Sequence, residues 1–220
     1  MNNLLIRVSH FSATISTVVG CTVLLSSVFC VSAEIERGAV KNALAATVYI
    51  EVERLYHGYD FSNAGTGFFV HGDGYVMTNW HVVADQVTAV WNGADRELPL
   101  TVVNMQVVVN PGSPQEKSLR ARVVARDRKR DLALLKVNYR TPHWVMPEPD
   151  TNVDILDEVY VIGFPYGDLL TFNENGGIAF EGYPEPSLNL GRVTSLRRDK
   201  DNNIAAVQTD AAINPARGCH

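Results

Sequence analysis

Two stretches decide the fold of this chain: Thr78-Asn79-Trp80-His81-Val82-Val83 and, further along, Asp131-Leu132-Ala133-Leu134-Leu135-Lys136. The first follows a run with the composition of a β-strand, and the second begins one. A carboxylate directly before an apolar strand is partly buried and needs a partner. We expect Asp131 to find that partner in the imidazole of His81, held in place by one helical turn after the histidine.

Other roles for Asp131 are open at this point. It can cap a turn, or it can pair with Arg128 or Arg130. Asp127 is close enough in sequence to compete for His81, although it lies further from the apolar strand. A single histidine without such a motif around it would instead be a hydrogen-bonded core residue.

The composition bounds the class of protein. The chain has 220 residues, 46% hydrophobic and 20% charged, which suits one soluble domain of two small β-barrels. A net charge of −5 argues against nucleic acid as a partner. One basic cluster is expected on the solvated face and turn of an edge strand, and it comprises Arg120, Arg122, Arg126, Arg128, Lys129 and Arg130.

The N-terminal segment differs from the rest. Arg7 is the only formally charged side chain before Glu34, and Val31-Ser32-Ala33 has the small residues that suit signal peptidase. The pattern predicts a cleaved secretory signal over residues 1–33, so the folded domain is expected to span residues 34–220.

Two alternatives concern the same segment. Residues 11–31 are nearly long enough to remain as an uncleaved membrane anchor. Val18-Val19-Gly20-Cys21 resembles a lipidation box. Cleavage would remove Cys21 and Cys30 and leave Cys219 without a disulfide partner. Export without disulfides is typical of the bacterial envelope, so we expect a periplasmic or extracellular protein that is free of the membrane after cleavage.

Short strands and frequent turns predict closed barrels rather than helical layers. A first barrel is expected at about residues 45–138, a proline-containing linker at 139–154 and a partial second barrel at 155–220. Residues 39–47 are expected to be helical, 55–64 to be a loop, and 92–95 to be a turn. The expected strands are Val48–Glu53, Gly65–Val70, Tyr75–Thr78, Val87–Trp91, Thr101–Val109, Arg120–Ala125, Leu132–Val137, Glu158–Ile162, Gly191–Leu196 and Ile204–Gln208.

Five segments in order carry a family resemblance. They are Gly65-Thr66-Gly67-Phe68-Phe69-Val70, Tyr75 to Val83, Arg130 to Val137, Val161-Ile162-Gly163-Phe164-Pro165-Tyr166-Gly167 and Gln208 to Pro215. Together they resemble the successive motifs of HtrA/Deg-type trypsin-like serine endopeptidases. The resemblance implies an all-β, chymotrypsin-like double β-barrel, incomplete here at the C-terminal end of the second barrel. It also implies that His81 is the general base and that Asp131 orients it.

The resemblance breaks down at the nucleophile. The family continues with Gly-Asn-Ser-Gly-Gly, whereas this chain has Ala216-Arg217-Gly218-Cys219-His220. The alignment places the nucleophile on Gly218, an oxyanion-hole amide on Ala216 and the floor of the specificity pocket on Ala212. Cys219 is an alternative nucleophile, but a slip of one residue turns a side chain to the opposite side of an extended segment.

Three hypotheses about function remain open. The first is an exported serine endopeptidase that acts on unfolded or damaged proteins and on peptides, with a preference for small aliphatic residues implied by the resemblance. The second is a pseudoprotease that binds peptides without cleaving them. The third is an inactive product of a frameshifted or truncated gene. No metal or nucleotide cofactor is expected, because the six histidines are scattered and no phosphate-binding glycine motif leads from a strand into a helix.

Overall fold

A computed structural model describes residues 4–6, 37–91, 94–147, 153–164 and 183–212. Strands dominate these residues, and the predicted all-β class is confirmed. The helices are α1, residues 37–46, and α2, Trp80–Val83. The strands are β1 Leu4–Ile6, β2 Thr47–Tyr56, β3 Tyr59–His71, β4 Tyr75–Thr78, β5 Gln86–Trp91, β6 Ala94–Pro99, β7 Thr101–Val109, β8 Lys117–Asp127, β9 Leu132–Val137, β10 Glu158–Gly163, β11 Ser187–Arg198 and β12 Ile204–Thr209.

Six strands close into a barrel in the order β2-β3-β4-β9-β8-β7. Successive side chains of a strand point to opposite faces, so alternate residues fill the interior. Along β2 these are Val48, Ile50 and Val52, all fully buried, and Phe69 and Leu135 meet them from other strands. The short helix α2 packs on this core, because Val82 and Val83 belong to the same cluster.

The expected loop at residues 55–64 is wrong. β2 and β3 form one long hairpin, paired from Thr47 opposite Phe68 to Tyr56 opposite Tyr59. Its two-residue turn is His57-Gly58, with φ of 48° and 86°. Two positive φ angles are what a tight hairpin turn of matching twist needs, and glycine adopts them without strain.

The expectation that the basic cluster lies on an edge strand is also wrong. β8 pairs with β7 on one side and with β9 on the other, so it is an interior strand of the barrel. Its outward-facing side chains remain partly or fully exposed, as expected. The basic residues therefore cover the outer wall of the barrel.

A two-stranded ribbon lies outside the barrel ladder. It consists of β5 and β6, paired from Gln86 opposite Pro99 to Trp91 opposite Ala94. The sequence predicted a turn at residues 92–95, but β6 already begins at Ala94. Asn92 and Gly93 lie outside the described residues.

The last three strands, β10, β11 and β12, form a second sheet with the N-terminal strand β1, in the order β1-β10-β11-β12. β1 pairs antiparallel with β10, with Leu5 opposite Val161. Val153, Val159 and Val193 form a small buried cluster on this sheet. Most of residues 1–33, for which a secretory signal is predicted, lie outside the described residues.

The described residues contain neither a membrane-spanning helix nor a metal-binding cluster. No helix there has the length and apolar character needed to cross a bilayer. In the same residues, no three histidine, cysteine, aspartate or glutamate side chains are grouped closely enough to hold a metal ion.

Candidate active site

The pairing of β4 with β9 places the site. Thr78, the last residue of β4, lies opposite Ala133 in the antiparallel ladder. The chain that leaves β4 therefore runs beside the chain that enters β9, and this brings residues 79–81 next to Asp131. The hydroxyl of Thr78 donates to the carbonyl oxygen of Thr66 at 2.8 Å, and this bond fixes the end of β4 to β3.

Asp131 and His81 are in direct contact. Oδ2 of Asp131 lies 2.6 Å from Nδ1 of His81, and Oδ1 accepts the backbone N–H of His81 at 2.9 Å. The carbonyl oxygen of Asp131 accepts the backbone N–H of Trp80 at 3.1 Å. The first N–H groups of a helix have no partner within the helix, so Asp131 satisfies two of them from another part of the chain.

This contact sets the chemistry of the imidazole. An ionised carboxylate can only accept hydrogen bonds, so Nδ1 of His81 must donate to Asp131. A neutral ring that carries its proton on Nδ1 has a free lone pair on Nε2, and that atom can take a proton from a nucleophile. The His81 side chain is 46% exposed, so a substrate can reach it.

Asn79 contributes to the site, although its motif predicted no separate role for it. Its side-chain amide donates to the carbonyl oxygen of Asp131 at 3.1 Å and to Oδ2 at 3.3 Å. Asn79 occupies the N-cap position of α2 but makes no side-chain capping bond there. An asparagine directly before a helix is usually such a cap, so the sequence signal pointed to a local role instead of this longer-range one.

The backbone of Asp131 has a left-handed conformation, with φ of 55°. Asp and Asn adopt this region more readily than other non-glycine residues. The conformation belongs to a tight turn, in which the N–H of Asp131 donates to the carbonyl oxygen of Arg128 at 3.3 Å. The turn directs the carboxylate back toward α2.

The alternative partners for Asp131 are engaged elsewhere. Arg130 contacts Asp127 at 2.7 Å, and Arg128 lies 3.7 Å from Asp85. Hydrogen bonds from the side chain and the backbone of Arg130 hold the pKa of Asp127 below its usual value. Asp127 is therefore committed to Arg130, and in this structure it is Asp131 that contacts His81.

Trp80 anchors α2 to the outer wall of the barrel. Its ring is 8% exposed and lies under the guanidinium groups of Arg126 and Arg128, at 4.9 and 5.4 Å from the ring centre. Such cation–π contacts are favourable, most strongly when they are shielded from water. Asp85 approaches both arginines, at 3.5 and 3.7 Å. Arg126 and Arg128 of the basic cluster thus pack on Trp80, the residue directly before His81.

The second sheet joins the barrel beside the site strands. The N–H of Phe164 donates to Oγ1 of Thr66 at 3.1 Å, and the Phe164 ring meets Tyr49 edge-on at 5.3 Å. Tyr183 packs on Tyr49 at 5.2 Å and donates to Glu51 at 2.8 Å. Burial raises the pKa of Tyr183 to about 12, and the bond to Glu51 adds to the shift.

The remaining predicted site residues are only partly described. Ala212 is exposed at the end of the described chain, after a buried Ala211. Ala216 and Gly218 lie outside the described residues. The structure brings together His81 and Asp131, and the other positions keep their roles as predictions.

Comparison with known families and proteins gives consistent matches. The family described as "Trypsin-like peptidase domain" matches residues 65–217. A probable periplasmic serine endoprotease, DegP-like, of Rickettsia conorii is 30% identical over 156 residues, which are 68% of this chain and 24% of that protein. A magnetosome formation protease, MamE, of Paramagnetospirillum magneticum is 34% identical over 153 residues, 69% of this chain and 17% of that protein.

A solved structure supports the fold independently. The crystal structure of Deg5 superimposes with a TM-score of 0.55 at 24% identity, and the match covers 83% of this chain and 75% of that one. The chain spans about a quarter of the length of the DegP-like relatives it matches.

Proposed function

Because this chain belongs to the trypsin-like peptidase family, and within it to the HtrA/Deg type, we propose that its site is the acid–base half of a serine endopeptidase. In this proposal His81 takes the proton of an attacking hydroxyl through Nε2. Asp131 holds the ring in the required tautomer and stabilises the imidazolium that forms.

One observation carries the proposal most directly, and it is the 2.6 Å contact between Nδ1 of His81 and Oδ2 of Asp131. A hydroxyl is a poor nucleophile at neutral pH and needs such an oriented base beside it. The additional bonds from Asn79 and from the backbone of α2 hold the carboxylate in one position. These supports are what a preorganised catalytic pair requires.

The nucleophile is the open part of the proposal. The motif resemblance predicts the nucleophile position at Gly218, which has no side chain, and an oxyanion-hole amide at Ala216. A histidine and aspartate without a serine retain little catalysis. We therefore expect the chain as written to hydrolyse protein substrates far more slowly than a family member with an intact serine motif.

The names of the relatives and the N-terminal sequence support a proposal about compartment and substrate. The DegP-like relatives are named periplasmic serine endoproteases, and the N-terminal segment of this chain has the composition of an export signal. We propose an exported protein whose site accepts extended segments of unfolded proteins or peptides. Ala212, at the aligned floor of the specificity pocket, carries no charge, which disfavours cleavage after Lys or Arg.

A chimera tests the proposal. Residues 216–220 are replaced by Gly-Asn-Ser-Gly-Gly, followed by the segment that continues this motif in the Rickettsia conorii relative. We expect the chimera to hydrolyse casein and to be blocked by a serine-directed reagent. His81→Ala in the same chimera should reduce kcat by about 10⁵-fold or more. A folded chimera that is inactive, or one whose activity survives His81→Ala, contradicts the proposal.

A second candidate is favoured by Gly218. Without a nucleophile, the same cleft can bind peptides without cleaving them, as a pseudoprotease does. Saturable binding of an unfolded polypeptide by the unaltered chain, with no hydrolysis, supports this candidate. Absence of binding under conditions where the chain is folded excludes it.

A further inference from the structure

The first barrel contains a buried arginine. The inward-facing positions of β2 are Val48, Ile50 and Val52, and the next one is Arg54. Arg54 is only 5% exposed. Burial lowers the pKa of Arg54 because the charged guanidinium loses its water. An apolar residue would fill this end of the barrel at lower cost, so the charge calls for an explanation.

Arg54 donates hydrogen bonds to the C-terminal end of α2, the helical turn that contains His81. Nε donates to the carbonyl oxygen of Ala84 at 2.8 Å, and one terminal nitrogen donates to that of Val82 at 2.6 Å. The last carbonyl groups of a helix have no partner within the helix. Arg54 thus satisfies two acceptors at the end of α2, and no carboxylate pairs with it among the described residues. Asn63 adds a long contact of 3.4 Å to the oxygen of Val82.

The two ends of α2 are therefore held by different residues. At the N-terminal end, Asp131 accepts the N–H groups of Trp80 and His81. At the C-terminal end, Arg54 donates to Val82 and Ala84. A helix of four residues cannot be stable by itself, because helix nucleation costs more than so few bonds return. The orientation of the His81 backbone depends on these outside partners.

We propose that Arg54 is a positioning residue for His81, acting through the carbonyl groups of Val82 and Ala84. The inference rests on the proposed role of His81 as the general base. A fork of rigid donors fixes two carbonyl groups at once, which a lysine cannot do with the same geometry. Arg54 thereby keeps the imidazole of His81 in register with the carboxylate of Asp131.

A purely structural role for Arg54 makes a different prediction. If the residue only filled the end of the barrel, its loss would resemble the loss of any neighbouring core side chain. Val52→Ala is the matched control, because Val52 is the preceding inward position of the same strand and is fully buried. That variant loses core packing but removes neither of the hydrogen bonds that Arg54 donates to α2.

The experiment uses the full chain with isotope-labelled histidine and proton NMR. A hydrogen bond from Nδ1 of His81 to Asp131 gives a low-field proton signal, which the His81→Gln variant assigns. We expect Arg54→Met to lose this signal and Arg54→Lys to weaken it. Val52→Ala should retain it, even where its melting temperature falls as far as that of Arg54→Met.

The outcomes separate this inference from the proposed function. A low-field signal of unchanged intensity in both Arg54 variants overturns the role of Arg54 and leaves the His81–Asp131 pair intact. A wild-type chain that lacks the signal, or one whose signal survives Asp131→Asn, overturns the catalytic pair itself. If Arg54→Met does not fold, Arg54→Lys decides, because it keeps the charge and most of the volume.

Discussion

Asp131 accepts two hydrogen bonds from His81, one from the backbone N–H at Oδ1 and one from the ring at Oδ2. The same residue thus fixes where the histidine starts its helical turn and how its ring is oriented. Side chain and backbone are held by one carboxylate, so a change at Asp131 should affect folding and chemistry together.

Asp131→Asn should show both effects. Asparagine tolerates the left-handed backbone of this position, but its amide nitrogen cannot accept the proton of the His81 ring. We expect a loss of about 1 kcal/mol in the free energy of unfolding, measured with urea. In the serine-bearing chimera, kcat should fall about 10⁴-fold, since the ring is then held in the wrong tautomer.

The control for that change is Asp127→Asn in the same turn. Asp127 contacts Arg130 at the surface and has no contact with His81. Exposed ion pairs contribute little to stability, so the free energy of unfolding should change little and kcat of the chimera should remain unchanged. An equal loss of kcat in both variants would mean that the turn, and not the carboxylate of Asp131, matters.

Gly74 and Gly58 allow a test of backbone strain against steric overlap. Both have positive φ, of 85° and 86°. A methyl group on Gly74 would lie 2.5 Å from the carbonyl oxygen of Tyr139 and 2.6 Å from that of Val137, whereas one on Gly58 meets nothing within 4 Å. Gly58→Ala should therefore cost about 1–2 kcal/mol from φ alone.

Gly74→Ala should cost that amount plus about 1–3 kcal/mol for the overlap. Both variants are compared with the wild type by urea unfolding. The two substitutions share the same chemistry and the same backbone region, so their difference measures the close approach of β9. Equal losses in the free energy of unfolding would contradict the close packing of Gly74, directly before β4, against residues 137–139.

Tyr183 predicts a stability change at alkaline pH. Its pKa is raised from 10.0 to about 12, so the folded state keeps the phenolic proton longer than the unfolded state does. The stabilisation is fully present below pH 10 and is lost as pH rises toward 12. The free energy of unfolding should therefore fall more steeply between these values in the wild type than in Tyr183→Phe.

Tyr59→Phe is the control for that measurement, because Tyr59 is 72% exposed. It should retain the slope of the wild type. The ultraviolet absorbance of the phenolate provides a second readout, since Tyr183 should ionise at higher pH than exposed tyrosines. If the free energy of unfolding has the same pH slope in Tyr183→Phe and the wild type, burial and the bond to Glu51 do not raise the pKa of this phenol.

Thr66 links the two sheets through its hydroxyl oxygen, which accepts the N–H of Phe164. Thr66→Val removes that acceptor at a buried position and leaves the N–H without it. We expect a loss of about 1–3 kcal/mol in the free energy of unfolding. Thr101→Val is the control on an exposed strand position. A loss below 0.5 kcal/mol, about the usual effect of a surface substitution, would contradict the link.

The sequence predicted the pairing of His81 with Asp131 because both residues sit in motifs that bound apolar strands. It did not predict the ends of the β2–β3 hairpin. Residues 59–63 are polar or aromatic, residue 64 is alanine, and none of them is β-branched, so their strand conformation comes from pairing with β2. β6 was missed for a related reason: Asp95, Arg96 and Glu97 show no alternation of apolar and polar residues, and their strand conformation comes from pairing with β5.

The sequence pattern also did not predict that Arg54 is buried. The predicted strand ended at Glu53 and the expected loop began at residue 55, so Arg54 fell between them, where a charged side chain needs no explanation. Only the longer hairpin places it inside the barrel. The role of Asn79 depends equally on tertiary structure, because its partner lies 52 residues away.

The pairing of Thr78 with Ala133 determines at what stage of folding the site can form. A shift of one residue between these strands would turn Asp131 to the other face and away from α2. No local segment carries a working histidine–aspartate arrangement by itself. A polypeptide whose first barrel has not yet closed therefore lacks the contact between His81 and Asp131, however much of the remainder has already folded.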